Sequence, residues 1–188
     1  MNIETFKKNL AQSGARANLF KVTWDADLPA VEGGSNPAPD SSKFVEFMCK
    51  ITSLPQSSIN PINVNYQGRT IKLAGTRPEY ADWTVTVIND ESMNIRKSLE
   101  AWMHSINSTV ENTMSGGPEM KHYKRTASVQ AIGKTGDDNL GGYKFFGLFP
   151  TQIGEVSLDW GNDALQEYTV TWSFDYFEDL NNSGVEKG

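Results

Sequence analysis

The sequence predicts a mainly β fold in which one amphipathic helix covers a β core. Residues 82–88 alternate as a strand does, with Trp83, Val85 and Val87 on one face. Beyond them the apolar period changes from two to about 3.6. A single stripe on a helix of residues 91–106 then collects Ile95, Leu99, Trp102, Met103 and Ile106. The rest of the chain repeats the alternating pattern, so this helix has only strands on which to bury its stripe.

The junction between this strand and this helix is the expected hub of the core. Asn89 or Asp90 can accept a hydrogen bond from a backbone N–H of the first helical turn. The carboxylates of Asp90 and Glu91 lie where the helix dipole favours negative charge. The side chains expected to be buried together at the hub are Trp83, Leu99 and Trp102.

The chain before the hub predicts strands separated by one long loop. A strand over residues 18–25 is followed by a flexible loop over residues 28–42, which is rich in Pro, Gly and Ser. A second strand is predicted over residues 43–53, with Cys49 and Ile51 on its apolar side. Its outward positions are Glu46, Lys50 and Thr52. Residues 59–66 and 69–74 then flank Gln67 and Gly68 and predict a hairpin.

The chain after the helix predicts a polar loop at residues 107–118 and four more strands. These strands are expected at residues 121–132, 143–149, 155–160 and 165–177. The last strand alternates most cleanly, with Tyr168, Val170 and Trp172 on one side. A polar tail at residues 179–188 ends the sequence.

Composition limits the classes of function. A chain of 188 residues suits one domain, and a net charge of −6 with a pI near 4.9 disfavours a tight basic grip on nucleic acid. One cysteine, Cys49, excludes an internal disulfide and a cysteine-based zinc cluster. No apolar run approaches 18 residues, so no membrane segment is expected. The first residues lack the features of a secretion signal, and we expect synthesis in a cytoplasm.

No motif in the sequence carries convincing chemistry. Gly133 and Lys134 resemble the end of a phosphate-binding loop, but Ser128 stands where the first glycine of that motif would be. His104 and His122 have no second ligand at a usual metal spacing. Two of the many carboxylates could meet as an acid and base pair in a hydrolase, although spacing alone does not show it. We therefore expect no catalytic residue, no cofactor and no metal.

Several stretches, taken in order, resemble the tail tube proteins of contractile-tailed (myovirus-type) bacteriophages. They are residues 15–22 (ARANLFKV), 49–55 (CKITSLP), 82–91 (DWTVTVINDE), 116–118 (GGP), 147–160 (GLFPTQIGEVSLDW) and 174–178 (FDYFE). The resemblance runs from about Ala15 to Glu178, and the block at 147–160 is its most specific part. The loop at 28–42 and the polar tail depart from the family pattern, so their contacts do not carry over.

This resemblance implies a single tail-tube domain over residues 1–188, built of packed antiparallel sheets in a barrel-like sandwich with one flanking helix. It implies a structural virion protein, not an enzyme, whose hexameric rings stack into the inner tube of a contractile tail. The implied partners are further copies of the chain, the tail sheath protein, the tape-measure protein and a baseplate tube-initiator protein. Viral DNA would pass through the lumen without specific binding, and assembly would occur in the host bacterial cytoplasm.

The wall of such a lumen is expected to be polar and acidic, because a basic wall would hold the DNA phosphates. The candidate lumen-facing residues are Glu46, Thr52, Glu155, Asp159, Glu167, Thr169, Thr171 and Asp175. Two other functions stay open at the level of sequence. One is a monomeric ligand-binding β-barrel with an apolar pocket. The other is the baseplate-proximal initiator of the tube, a relative that shares the fold.

Overall fold

A computed structural model describes residues 3–4, 16–24, 48–114, 119–134 and 140–182. The strands of these ranges are β1 (Phe20–Trp24), β2 (Cys49–Thr52), β3 (Pro61–Tyr66), β4 (Arg69–Ala74), β5 (Trp83–Ile88), β6 (Arg125–Ala131), β7 (Gly142–Ile153), β8 (Glu167–Ser173) and β9 (Tyr176–Asp179). The helices are α1 (Asn94–Ile106), α2 (Met120–Tyr123) and a 3-10 turn at Leu180–Asn182. The prediction of a mainly β chain with antiparallel sheets is confirmed. The expected loop at 28–42, residues 43–47 and the end of the polar tail lie outside the described residues.

Seven of the nine described strands form two antiparallel sheets that share the long strand β7, and β3 pairs with β4 alone. Sheet I has the order β1-β6-β7-β9 and uses the first half of β7. Sheet II has the order β7-β8-β5-β2 and uses the second half. Among the described strands this path is open, with β1 at one end and β2 at the other. The sheets therefore form a sandwich and not the closed barrel that a ligand-binding protein of this class would need.

The change from sheet I to sheet II takes place at Gly147. This residue has φ +69°, and a Cβ added to it would lie 2.0 Å from a carboxylate oxygen of Asp175. Asp175 follows β8, its backbone N–H donates to the carbonyl of Phe146 at 2.9 Å, and its carboxylate accepts from Lys124 Nζ at 2.7 and 2.8 Å. Only glycine combines this backbone angle with so close an approach.

Large aromatic side chains fill the space between the sheets together with smaller aliphatic ones. Trp83 stacks on Phe145 with ring centroids 4.5 Å apart, and Trp172 contacts both Trp24 and Trp102. Trp83, Leu99 and Trp102 are all buried, and each such side chain contributes roughly 1.5–3 kcal/mol by leaving water. Helix α1 closes this core, and Trp102 Nε1 donates to the carbonyl of Tyr123 at 2.8 Å.

Helix α1 begins at Asn94, three residues later than the sequence pattern indicated. Met93 adopts the left-handed conformation with φ +55°, and a turn closed by the bond from Met93 N–H to the carbonyl of Asp90 precedes the helix. This turn lets the Asp90 carboxylate accept from the backbone N–H groups of Asn94 and Ile95 at 3.0 and 3.3 Å. Asp90 thus supplies the predicted acceptor for the first helical turn.

A β-bulge in β2 reverses part of the predicted inward and outward assignment. Cys49 pairs with Val87, whereas Ile51 pairs with Thr86 and Thr52 with Val85, because the register shifts between Cys49 and Ile51. Ile51 consequently faces outward and is 56% exposed. Thr52 faces the core, since Val85 is buried, and its hydroxyl oxygen is buried as well. The assignment of Ile51 inward and Thr52 outward was therefore wrong.

Four other predicted strands differ from the observed ones. The strand predicted at 143–149 continues to Ile153 as β7. Residues 120–123 form the helical turn α2, so the predicted strand at 121–132 begins only at Arg125. The predicted strand at 165–177 divides into β8 and β9 at the Asp175 bend. Residues 155–160 are not a strand, because the chain leaves the ladder at Gly154 and turns where Asp159 Oδ1 accepts from the N–H of Gly161 at 2.9 Å.

Candidate assembly surfaces

The outward face of sheet II is lined by threonines, and we call it the threonine face. Thr84 pairs across the strands with Thr171, and Thr86 pairs with Thr169. The two hydroxyl oxygens of the second pair are 3.4 Å apart. The alternate residues of β5 and β8 point into the core and are buried. Branched side chains that carry a hydroxyl suit such a half-buried sheet, with one face dry and the other wet.

One ion pair lies at the end of the threonine face. Lys50 Nζ donates to Glu167 Oε1 at 2.5 Å and so reaches over β5, which separates β2 from β8. Both side chains are partly exposed, so the pair stabilises the fold by about 1 kcal/mol at most. Its main consequence is that the formal charges of the two groups cancel on this face.

Sheet II has an unpaired edge on each side within the described part of the chain. β2 pairs with β5 alone, and the second half of β7 pairs with β8 alone. A bulge at Thr151 leaves Thr151 and Gln152 exposed along the β7 edge. Unpaired edges of this kind present backbone N–H and C=O groups to another chain. Because β2 and β7 run in opposite directions, a β7 edge and the β2 edge of a second copy can pair antiparallel.

The hairpin of β3 and β4 forms a second surface and pairs separately from sheets I and II. All its strand residues are exposed. Its cross-strand pairs place the apolar side chains on one face and polar ones on the other. The apolar face comprises Ile62, Val64, Tyr66, Ile71 and Leu73.

The segment of residues 155–166, which connects β7 to β8, forms a third surface. Val156 packs against the core, but Leu158, Trp160 and Leu165 are exposed, and Trp160 is fully so. Two local bonds hold the segment in shape, from Gly161 N–H to Asp159 and from Ala164 N–H to Asn162. One exposed tryptophan and two exposed leucines within a single short segment are typical of an interface.

The eight residues that were predicted from the sequence to face a lumen do not share one surface. Glu167, Thr169 and Thr171 lie on the threonine face. Thr52 faces the core, and Asp175 is held at the bend of β7 by Lys124. Glu155 and Asp159 lie in the connecting segment, and Glu46 is outside the described residues. Sequence reasoning missed Thr84 and Thr86, although they are the outward positions of a strand whose inward positions it had identified.

The described residues offer no arrangement for catalysis. They contain no group of three or more His, Cys, Asp or Glu side chains placed to hold a metal ion. Burial raises the pKa of the Cys49 thiol to about 12, the reverse of what a nucleophile needs. His104 accepts a long bond from the N–H of Thr109, and His122 lies 3.7 Å from a carboxylate oxygen of Glu119. No helix in the described ranges has the length and apolar character that crossing a membrane requires.

Comparison with known proteins places this arrangement in a family. The family model described as phage tail tube protein matches residues 15–179. The tail tube protein gp19 of Enterobacteria phage T4 is 37% identical over 133 residues, which are 70% of this chain and 80% of the relative, and the gp19 of phage T6 matches equally.

Solved structures with a similar fold come from contractile systems. The tube-terminating cap of the anti-feeding prophage has a TM-score of 0.61 at 15% identity, over 88% of this chain and 90% of that one. The sheath-tube complex of the PVC extracellular contractile injection system has a TM-score of 0.59 at 16% identity, over 92% and 95%. At such identities the likeness concerns the fold, whereas the family match and the gp19 relatives concern the protein's role. The chain belongs to the phage tail tube protein family and is a structural component of the phage tail, not an enzyme.

Proposed function

We propose that copies of this chain join through the two edges of sheet II into hexameric rings, with the threonine face turned to the lumen. The observation that carries this proposal is the combination found in one sheet of a buried apolar face, a polar face and two edges that have no partner strand among the described residues. Pairing the β7 edge of one copy with the β2 edge of the next would continue the antiparallel order without interruption. It would also remove both edges from solvent.

The dimensions of such a ring suit a conduit. Six copies of a four-stranded sheet give roughly 24 strands, more than the 16–18 strands with which porins already enclose an aqueous channel. At about 4.8 Å between neighbouring strands, the backbone circle is about 37 Å across before strand tilt widens it. That leaves room for a DNA duplex after side chains line the wall. The number six is the one implied by the family resemblance.

The threonine face would give the lumen a nearly neutral wall of threonine hydroxyl groups, with the exposed Ile51 of β2 beside Thr86. Among the described residues of this face the one cation is Lys50, which is held by Glu167, so this part of the wall would present no unpaired ammonium group to the DNA phosphates. This wall is less acidic than the sequence-based expectation, because Glu155, Asp159 and Asp175 lie elsewhere. Short hydroxyl side chains would let the genome slide through without specific binding.

Outside and at the ends of the tube, we propose the partners that contractile tails require. These are the tail sheath protein around the tube, the tape-measure protein inside it during assembly and a baseplate tube-initiator protein at its start. Among the proteins of similar fold, one structure is of a sheath-tube complex and another is of the anti-feeding prophage baseplate. Assembly would take place in the cytoplasm of the host bacterium.

Chemical cross-linking tests the ring. Ile51→Cys and Gln152→Cys are introduced together in a Cys49→Ala background, so that each edge of sheet II carries one outward thiol. Within one copy two strands separate these positions, about 14 Å of sheet, which a short bismaleimide does not span. The proposal predicts a ladder of linked copies that ends at six on a denaturing gel.

The two single-cysteine variants are the matched controls, and they should give no ladder. Tubes that form without any ladder in the double variant would show that other surfaces close the ring. A ladder that ends at another number would correct the hexamer.

A further inference from the structure

The hairpin and the connecting segment lie at opposite ends of sheet II. The hairpin follows β2 and precedes β5, so it projects from the end of the sheet where Thr52 and Trp83 lie. Residues 155–166 follow β7 and precede β8, so they project from the end where Ile153 and Glu167 lie. Because neighbouring strands of this sheet are antiparallel, these two ends are opposite along the strand direction.

Each of the two surfaces exposes apolar side chains that a tube protein would need to cover. On the hairpin, Ile62 pairs with Leu73 and Val64 with Ile71, and these four form a continuous exposed patch. A two-stranded hairpin with such a patch is marginal by itself in water. On the connecting segment, the apolar side chains of Leu158, Trp160 and Leu165 are exposed. Since both surfaces are exposed in a single chain, the hairpin does not cover the segment of its own copy.

The charges of the two surfaces are complementary. Between residues 61 and 74 the hairpin has no acidic residue. Its Arg69 pairs with Tyr66 on the apolar face, whereas Lys72 lies on the opposite face. Residues 155–166 carry Glu155, Asp159 and Asp163 and have no Lys or Arg. Such opposite charges around apolar centres align two surfaces and oppose pairing of either surface with itself. The favoured partner of the hairpin is therefore the connecting segment of another copy.

We propose that the apolar face of the hairpin in one ring docks on residues 155–166 of a copy in the adjacent ring, with Trp160 as the central anchor. The proposal rests on the proposed ring, because in a ring whose strands run along the tube these two surfaces face opposite rims. The contact is heterologous, so it repeats without closing and extends the stack. A buried tryptophan surrounded by smaller contacts is the usual centre of a strong interface.

Two variants test the contact, because each disables one of its sides. Ile71→Asp disables the hairpin, and Trp160→Asp disables the segment. Both residues are exposed, so both variants should fold. With Ile51→Cys and Gln152→Cys added in the Cys49→Ala background, each variant should still give the six-membered cross-linked ladder. Neither variant should form tubes in negative-stain images. Val110→Asp is the matched control, since Val110 is an 88% exposed apolar residue outside both surfaces, and it should form tubes like the parent protein.

Mixing the two variants gives the sharpest result. Rings with an intact hairpin can dock on rings with an intact segment, but the second side of each ring is disabled. The mixture should therefore show pairs of rings and no longer stacks. Normal tubes from either variant would overturn the docking proposal and leave the proposed ring intact. Absence of the ladder from the double-cysteine protein that carries neither Asp substitution would overturn the proposed ring itself. Normal tubes that have lost the binding of sheath protein would reassign the hairpin to the sheath.

Charge exchange provides a second measurement that does not depend on apolar residues. Arg69→Glu should shorten tubes at least tenfold at low salt, and adding Glu155→Lys with Asp163→Lys should restore them. Lys72→Glu is the control, because Lys72 lies on the opposite face of the hairpin, and it should have a smaller effect. Asp159 is left unchanged because its side chain holds the local turn. We expect the combined charge exchange to fail only if these surfaces do not pair. If it restores no tube length while each set of charge substitutions alone still forms rings, the pairing of these two surfaces is contradicted.

Discussion

The carboxylate of Asp175 occupies the space beside Gly147 in which any other residue would place its Cβ. Asp175 is anchored there by Lys124, and Gly147 is the point at which β7 passes from one sheet to the other. Asp175, which the sequence suggested as a lumen-facing residue, thus fixes the joint between the two sheets, by which we mean the bend of β7 at Gly147. The joint sets the angle between sheet II, which would form the tube wall, and the sheet behind it.

Substitution at this joint should be costly. Gly147→Ala combines a left-handed φ with a clash against Asp175, and we expect it to lower the free energy of unfolding by about 1–3 kcal/mol. Denaturant titration followed by tryptophan fluorescence measures this loss. Gly161→Ala is the control, because an added Cβ there meets nothing closer than 3.6 Å, and it should change stability by less than about 0.5 kcal/mol. Equal effects of the two substitutions would contradict the role of the joint.

The helix is expected to stabilise the fold mainly through Trp102. This side chain is fully buried, contacts Trp172 and donates to the carbonyl of Tyr123. Trp102→Ala should lower the free energy of unfolding by roughly 3–5 kcal/mol, through lost burial and the cavity left behind. His104→Ala on the exposed side of the same helix is the control. A loss below about 1 kcal/mol for Trp102→Ala would mean that the helix packs less tightly than described.

The Cys49 thiol should stay protonated in the folded protein at mildly alkaline pH. Burial raises its pKa from 9.0 to about 12, so the unfolded chain ionises first as the pH rises. The stability associated with this group is therefore full below pH 9 and is lost as the pH rises from 9 towards 12. Labelling with a thiol reagent at pH 9 should be at least tenfold slower in native protein than in denaturant. Equal labelling rates would show that the thiol is accessible.

The ion pair on the threonine face predicts a salt-dependent effect on genome passage. Glu167→Gln leaves Lys50 without its carboxylate partner, and the exposed ammonium group would then bind DNA phosphates once per copy along the whole tube. We expect virions with this tube to assemble normally and to eject DNA more slowly at low ionic strength, with recovery in high salt. The double variant Lys50→Met with Glu167→Gln is the control and should eject normally. Unchanged kinetics of the single variant at low salt would place the pair outside the lumen.

Sequence periodicity was sufficient for the core and insufficient for the surfaces. The alternation of β5 and β8 and the stripe of α1 predicted which side chains are buried, because burial of one face imposes that period. The same alternation also predicts that Thr84 and Thr86 face outward. The ring that we propose depends on those outward positions, which periodicity identifies only as polar.

The remaining differences arise from local irregularities that leave no periodic signal. One extra residue in β2 exchanged the sides of Ile51 and Thr52, and a bulge of this kind depends on the partner strand. The block at 155–160 alternates like a strand, yet an aspartate-centred turn and the absence of a neighbouring strand among the described residues leave it as a loop. The pairing of strands distant in sequence decided both outcomes.

A cryo-EM reconstruction of tubes assembled from this chain tests the central claim most directly. We expect Thr84, Thr86, Thr169 and Thr171 to line the lumen and β2 of each copy to pair with the second half of β7 of its neighbour in a continuous barrel. A reconstruction in which the threonine face is turned outward, or in which both edges of sheet II stay unpaired, would contradict it.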